Sequence, residues 1–293
     1  MYANGVDVLT PVKYDKQKAK LGKLLYFDTR LSADKKVSCA SCHSFEEGGA
    51  NHKQFSIGVF KRVDSPMNSP TVYNAVFNCW QFWNGRAKTL AEQAGMAIMD
   101  EKEMGMNPKK LEKVVNSIPE YKLMFKEIYN TDYISFANVC DAIAEFEKAL
   151  VTLNSRFDRY LKGDKEALNS QEKRGYVLFK SYGCITCHNG KNFGGNSFQK
   201  LGIFAQYIKV PRGRDRYEVT HNPADKYVYK VPTLRNIALT APYFHYGNVK
   251  TLEEAVLLMG KLNLGIKIPK KDIKDIVAFL KTLTGETPEI LKE

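Results

Sequence analysis

Residues 39–43 read Cys39-Ala40-Ser41-Cys42-His43, and residues 184–188 read Cys184-Ile185-Thr186-Cys187-His188. Two thiols separated by two residues and followed at once by histidine form the attachment signal of a c-type haem. The chemistry needs each residue. The thiols add across the two vinyl groups of the porphyrin, and the adjacent imidazole is held against the iron as proximal ligand. The sixth position then sets the behaviour: methionine raises the reduction potential, whereas an open site admits oxygen or peroxide. One structural zinc is the main rival for a doubled pair. Such sites join pairs roughly 15–20 residues apart, but these two begin 145 residues apart and both carry the trailing histidine. A thioredoxin-like pair needs a strand–helix–strand setting that the flanking sequence lacks. A disulfide framework does not suit a chain of 293 residues that is 44% apolar.

Outward from the pairs the chain repeats itself. Gly22-Lys-Leu-Leu-Tyr-Phe27 precedes the first pair and Gly175-Tyr-Val-Leu-Phe179 the second, each reading as a short helix that leads into a haem loop. The length suits about two domains. The expected fold is all-α, with two cytochrome c-type domains, residues 1–165 and 166–293, each around one covalently bound haem. Residues 1–15 read as an irregular arm, and the polar stretch 161–170 as a linker. The patterns predict helices over 16–27, over 107–116 with Pro108 in its first turn, from Asn169 onward, and over 270–283 with Gly285 as its stop. Apolar steps of three and four from Asp141 to Tyr160 predict one further helix. The stretch 44–86 reads as loop with short helices, and 189–248 is again loop-rich.

The net charge of +12 makes an acidic partner surface plausible and brings nucleic acid into consideration. No nucleic-acid motif accompanies the charge, and haem propionates would offset part of it, so no nucleic-acid partner is expected. No apolar run reaches the roughly 18 residues of a membrane span. Residues 1–30 show no secretory leader. Haem attachment of this type nevertheless requires export, so the expected location is periplasmic. Cys79 and Cys140 read as buried free thiols, and His221, in a polar loop, has no assigned role.

Further blocks extend the pattern: Leu31-Ser-Ala-Asp34, Asn68-Ser-Pro-Thr-Val-Tyr-Asn-Ala-Val-Phe77, Gln81-Phe-Trp-Asn-Gly-Arg-Ala87, Glu92-Gln-Ala-Gly95, Val231-Pro-Thr-Leu-Arg-Asn236, Thr240-Ala-Pro-Tyr-Phe-His245 and Thr251-Leu-Glu-Glu-Ala-Val256 through Met259-Gly260. With these, the sequence resembles the bacterial dihaem cytochrome c peroxidases over almost its whole length. The resemblance implies reduction of hydrogen peroxide to water with electrons from a small redox carrier such as a monohaem cytochrome c, and a homodimer. It makes the haem on Cys184, Cys187 and His188 the electron-accepting one, with Met259 as sixth ligand. It makes the haem on Cys39, Cys42 and His43 the peroxide site, with Glu103 as acid–base catalyst, Gln93 as the amide facing peroxide, and Trp83 between the haems. It also implies one calcium ion, held by Asn68 and the carbonyls of Thr240 and Pro242, and a haem-propionate contact for His245. Taken alone, Met259 is a core methionine, Glu103 a surface charge, Gln93 a helix residue, Trp83 a packing residue and Asn68 a turn residue.

One position departs from the family. Its members commonly carry a second histidine after Ser-Ile-Gly as distal ligand to the peroxide-binding haem, where this chain has Ser56-Ile-Gly-Val59. Valine cannot bind iron. Either the first haem is open already in the oxidised protein, or His52 substitutes. The missing cap also resembles the MauG-like branch, which oxidises partner proteins but carries tyrosine where Met259 stands. A dihaem electron carrier or redox sensor with weak peroxidase activity is the further alternative.

Overall fold

The computed structural model describes residues 5–63, 67–207 and 214–293. Among the described residues the chain forms α1 (Lys16–Phe27), α2 (Cys39–Cys42), α3 (Leu90–Met99), α4 (Pro108–Asn116), α5 (Pro119–Tyr129), α6 (Phe136–Ala149), α7 (Arg156–Leu161), α8 (Ser170–Ser181), α9 (Tyr217–Thr220), α10 (Leu252–Met259) and α11 (Lys270–Lys281). One antiparallel pair, β1 (Phe198–Lys200) and β2 (Val228–Lys230), sets Gln199 opposite Tyr229. The fold is helix-rich, as expected.

The repeated glycine is a packing device. α1 lies against α6, and a Cβ on Gly22 would come within 1.9 Å of Ala142 O. α8 lies against α11 in the same way, and a Cβ on Gly175 would come within 1.9 Å of Asp275 O. Only a residue without a side chain lets the helices approach so closely. Each crossing anchors one apolar cluster. The first contains Leu25, Tyr26, Ile98, Leu111, Phe125 and Phe146. The second contains Phe157, Phe179, Phe193, Ile276 and Phe279.

The chain ends are exchanged between the clusters. Val6 is buried in the second, where Gly5 O accepts from Gly190 N at 2.9 Å. The wholly buried Arg235 forks onto Asp158 at 2.9 and 3.0 Å and donates to Asp7 O at 2.8 Å. Conversely, Ile290 is buried in the first cluster, and its carbonyl accepts from Lys23 Nζ at 2.7 Å.

A second internal repeat, not anticipated from the sequence, runs through the loops. Residues 68–92 and 230–254 share a conformation at a constant offset of 162 positions. Asn74 and Asn236 both have φ 61° and ψ 14°. Phe82 and Phe244 have φ 64° and 67°, and Gly85 and Gly247 have φ 68° and 62°. The bridges Gln81–Ala87 and Tyr243–Val249 correspond. Thr89 and Thr251 cap α3 and α10 by accepting from Glu92 N and Glu254 N. The halves meet about an approximate two-fold relation: Asn68 N donates to His245 O, and Lys230 N donates to Trp83 O, both at 2.7 Å. At this junction Thr152 Oγ1 accepts from Asn74 Nδ2 at 2.8 Å and from Asn236 Nδ2 at 2.9 Å.

Three local expectations need correction. The helix expected over Asp141–Tyr160 is two helices. α6 stops at Ala149, Thr152 N turns away to Asn74 Oδ1 at 2.9 Å, Asn154 is left-handed at φ 56°, and Ser155 caps α7. An asparagine in that conformation followed by a serine cap ends one helix and begins another. The stretch 161–170 is not a free linker. Ala167 and Leu168 are buried, and Arg156 ties Ala167 O to both carboxylate oxygens of Glu172. Cys140 is buried as expected, but Cys79 is exposed. Helix α5 lies where none was anticipated, and α3 extends the helical reading of Gln93 over Leu90–Met99.

Candidate haem sites

Two cavities share a wall. The first is lined by Cys39, Cys42 and His43, with Trp83, Gln93 and Glu103. The second is lined by Cys184, Cys187 and His188, with Met259 at the end of α10. Trp83 and Asn68 line both cavities, and Thr240 and Pro242 line the second. The structure thus brings every residue to which the resemblance assigns a role to one cavity or to the wall between them.

Each Cys-x-x-Cys is wound into a single turn. α2 is itself Cys39–Cys42, capped by Ser38 and Ser41, and its counterpart Cys184–Thr186 starts from Gly183 at φ 85°. This winding puts both thiols of a pair on one cavity wall. The following imidazoles are oriented alike. His43 Nδ1 lies 3.3 Å from Gly49 O and His188 Nδ1 lies 3.2 Å from Phe193 O. A carbonyl at Nδ1 fixes the proton there and leaves Nε2 as the free ligand atom. Burial holds both rings neutral, lowering the His43 pKa and taking that of His188 to about 4, because the charged form is desolvated. Neutral imidazole is the form that binds a metal.

The peroxide side of the first cavity is built on the turn after α3. Glu103 N donates to Asp100 O at 3.0 Å, and Glu103 O accepts from Val59 N at 2.9 Å. Its carboxylate Oε1 stands 3.9 Å from Arg86 Nη2, with the guanidinium laid over Phe82 at 3.3 Å from the ring centroid. Burial pushes the Asp100 carboxyl up, but the Lys102 N–H and the Arg214 guanidinium, 2.9 Å away, hold it below the usual carboxylate range. The turn that carries Glu103 is therefore clamped at its start.

Val59 is completely buried. It packs in the first apolar cluster against Gly105 and does not line the cavity. Gly58 rests on the same turn, where a Cβ would come within 1.9 Å of Lys102 O. His52 is exposed, its Nε2 lies 3.0 Å from Leu239 O, and it lines neither cavity. The geometry thus gives His52 no place as a distal ligand.

Sequence reading missed several cavity residues. Glu147 on α6 lines the first cavity, and burial raises its carboxyl to about 8. Arg86 and Arg214 line it as well. His245, for which the resemblance implied a propionate contact, lines the second cavity; it is 3% exposed, stacks on Tyr229 at 4.2 Å, and has no hydrogen-bond partner at Nε2. A buried polar atom without a partner calls for one from an occupant. Paired thiols, a neutral imidazole with a free Nε2 and this orphaned nitrogen together fit covalently attached haem.

Residues 16–166 match the model of the di-haem cytochrome c peroxidase family. The chain is 48% identical to the cytochrome c551 peroxidase of Nitrosomonas europaea, over 97% of this chain and 84% of that protein. It is 47% identical to the cytochrome c peroxidase Ccp of Escherichia coli over 92% of this chain and 59% of that longer protein. The methylamine utilization protein MauG of Methylorubrum extorquens is more distant, at 32% identity over 94% of this chain and 80% of that protein. Among solved structures, a MauG-like protein associated with microbial copper homeostasis superposes with a TM-score of 0.83 at 28% identity, covering 96% of this chain and 93% of that one. By its family match, its identity to curated peroxidases and its paired haem-binding cavities, the chain belongs to the dihaem cytochrome c peroxidase family.

Proposed function

We propose that the protein reduces hydrogen peroxide to two waters, using two protons and two electrons delivered one at a time by a small redox protein. The observation that carries this reading is the unlike lining of two cavities that share Trp83: Met259 in one, Glu103 and Gln93 in the other. Haem iron, when bound, supplies the coordination and electron exchange that peroxide cleavage needs. Cys39, Cys42 and His43 would hold one haem, and Cys184, Cys187, His188 and Met259 the other.

The protein's own residues divide the remaining work. Glu103 takes a proton from the near oxygen of peroxide and returns it to the departing oxygen, the task of a general acid–base. Arg86 stands 3.9 Å from that carboxylate and helps to orient it. Gln93 offers an amide donor to the substrate. Trp83 gives electrons a π-system between the cavities. Anchoring of Val59 in the core supports a first haem that needs no reductive opening.

The finer parts of the reading are proposals as well. The haem units divide at residues 165/166. One calcium ion binds between Asn68, Thr240 and Pro242. Among the described residues, the Thr240 and Pro242 carbonyls accept no hydrogen bond, and the Asn68 amide nitrogen is already committed to Lys53 O and Gln54 O. The export that haem attachment demands supports a periplasmic location. Met259 favours the peroxidase over partner oxidation of the MauG kind. The deciding experiment is peroxide-dependent oxidation of a reduced monohaem cytochrome c by the purified dihaem protein, and no turnover from either the oxidised or the one-electron-reduced enzyme would refute the reading.

A further inference from the structure

β2 ends on Lys230. Its side chain lines the second cavity, and the residue is 7% exposed. Among the described residues, Lys230 Nζ makes no hydrogen bond and no ion pair. Burial lowers this ammonium to about 8, with the Cys79 thiol the one charge-bearing neighbour opposing the shift. No carboxylate lines the second cavity among the described residues, whereas Lys200 and the unpartnered His245 do. A buried ammonium with no counter-ion is strongly disfavoured, so the cavity is built for an anion, and the carboxylates of a haem are the anions its occupant carries.

The approximate two-fold relation sharpens the point. Lys230 is the counterpart of Asn68, since each donates its backbone N–H across the relation, to Trp83 O and His245 O respectively. The Asn68 amide is satisfied by Lys53 O and Gln54 O. At this position the cation therefore stands in the second half alone; the cations that line the first cavity, Arg86, Lys102 and Arg214, are accompanied there by the carboxylates of Glu103 and Glu147, which the second cavity lacks among the described residues. The helix crossings break the likeness in the opposite sense. Gly22 approaches Phe146 just as Gly175 approaches Phe279, so the next residue is Glu147 in the first cavity and Leu280 in the second. A nearby positive charge stabilises the reduced, less positive iron, and burial strengthens the effect.

We propose that Lys230 is the counter-ion of a haem carboxylate in the second cavity, and that it holds the reduction potential of that haem above the potential of the first. The proposal rests on haem occupying both cavities, and Lys230 is a positioning and electrostatic residue, touching the cofactor's edge rather than the reacting atoms.

The test is spectroelectrochemical titration of holoprotein carrying Lys230→Gln or Lys230→Arg. The expected result is a lower midpoint for the second haem in K230Q, an unmoved midpoint for the first, and recovery of the wild-type value in K230R. A purely structural role would not be rescued by charge alone. An unmoved second midpoint in K230Q, or equal shifts in both haems, would overturn the proposal. If K230Q does not take up haem, a crystal structure of the wild-type holoprotein decides instead. Nζ within about 4 Å of a haem carboxylate supports the assignment, and a greater separation sinks it. These readouts need no turnover, so they remain informative even if peroxide reduction is not observed.

Discussion

Trp83 and His245 are each other's counterparts across the approximate two-fold relation, and their rings meet edge to face with centroids 6.4 Å apart. The Trp83 indole N–H donates to Asn68 O at 2.8 Å, and Asn68 N donates to His245 O at 2.7 Å, so Asn68 ties the indole to the backbone of His245. Duplication of one loop has thus placed an indole and an imidazole back to back where the cavities meet. The indole is held by the Asn68 carbonyl, and the imidazole by its stacking on Tyr229.

With Val59 buried beside Gly105 and no histidine facing the first cavity from the 56–63 loop, the oxidised protein should bind external ligands at once. Cyanide added to the fully oxidised holoprotein should perturb the first haem's spectrum without prior reduction, and peroxide turnover should start without a lag. A lag abolished by one-electron pre-reduction would show that another group caps the iron.

Glu103→Gln removes the proton acceptor while keeping shape and a hydrogen-bonding group. Peroxide cleavage should slow by about 10²–10⁴-fold, with ligand binding to the oxidised haem left near wild type. Glu101→Gln serves as the control, because Glu101 is exposed and lines neither cavity. A similar loss in both variants would remove Glu103 from the acid–base role.

Met259→His replaces a thioether by a stronger donor to ferric iron. The second haem's potential should fall, and turnover with a reduced carrier should fall with it, while cyanide binding at the first haem stays unchanged. A second-haem spectrum and potential identical to wild type would show that Met259 is not a ligand.

Glu147 carries a stability prediction with a defined sign. Its carboxyl lies near 4.5 when exposed and is raised to about 8 by burial. The folded state therefore holds a proton that the unfolded chain gives up. The stabilisation this provides is fully present below about pH 4.5 and is lost as the pH rises to about 8. Glu147→Gln should leave stability near pH 4.5 unchanged and raise it at pH 8 by a few kcal/mol, since each tenfold change in proton affinity is worth about 1.4 kcal/mol. Denaturant unfolding of the holoprotein at the two pH values measures this, and equal differences between variant and wild type at both would count against a protonated Glu147.

Much of the architecture was written in local signals. The Asn169–Glu172 capping box starts α8 where its residue types require, and the stripe of Ile273, Ile276, Val277 and Leu280 defines α11. The break after Ala149 was hidden because apolar steps continue through Leu150, Leu153 and Phe157. What ends the helix is Asn74, which takes the Thr152 N–H from 78 residues away. The repeat between residues 68–92 and 230–254 was legible in the sequence, since Pro70/Pro232, Thr71/Thr233, Asn74/Asn236, Phe82/Phe244, Gly85/Gly247 and Lys88-Thr-Leu90/Lys250-Thr-Leu252 are identical at the same offset; a reading centred on the Cys-x-x-Cys-His units passes over it because it lies outside them. Lys230 was invisible for a simpler reason: in Val228-Tyr-Lys230 a lysine reads as the solvent side of a strand, and only the tertiary fold turns it inward.

The exchanged chain ends bear on electron tunnelling. Swinging the halves apart would have to pull Val6 from one core and Ile290 from the other in the same movement. These two straps cross the junction from opposite sides, and Arg235 rivets one of them through Asp7. If Trp83 carries electrons between the cavities, as proposed above, these straps would hold that gap at one length and leave driving force and protonation to set the tempo.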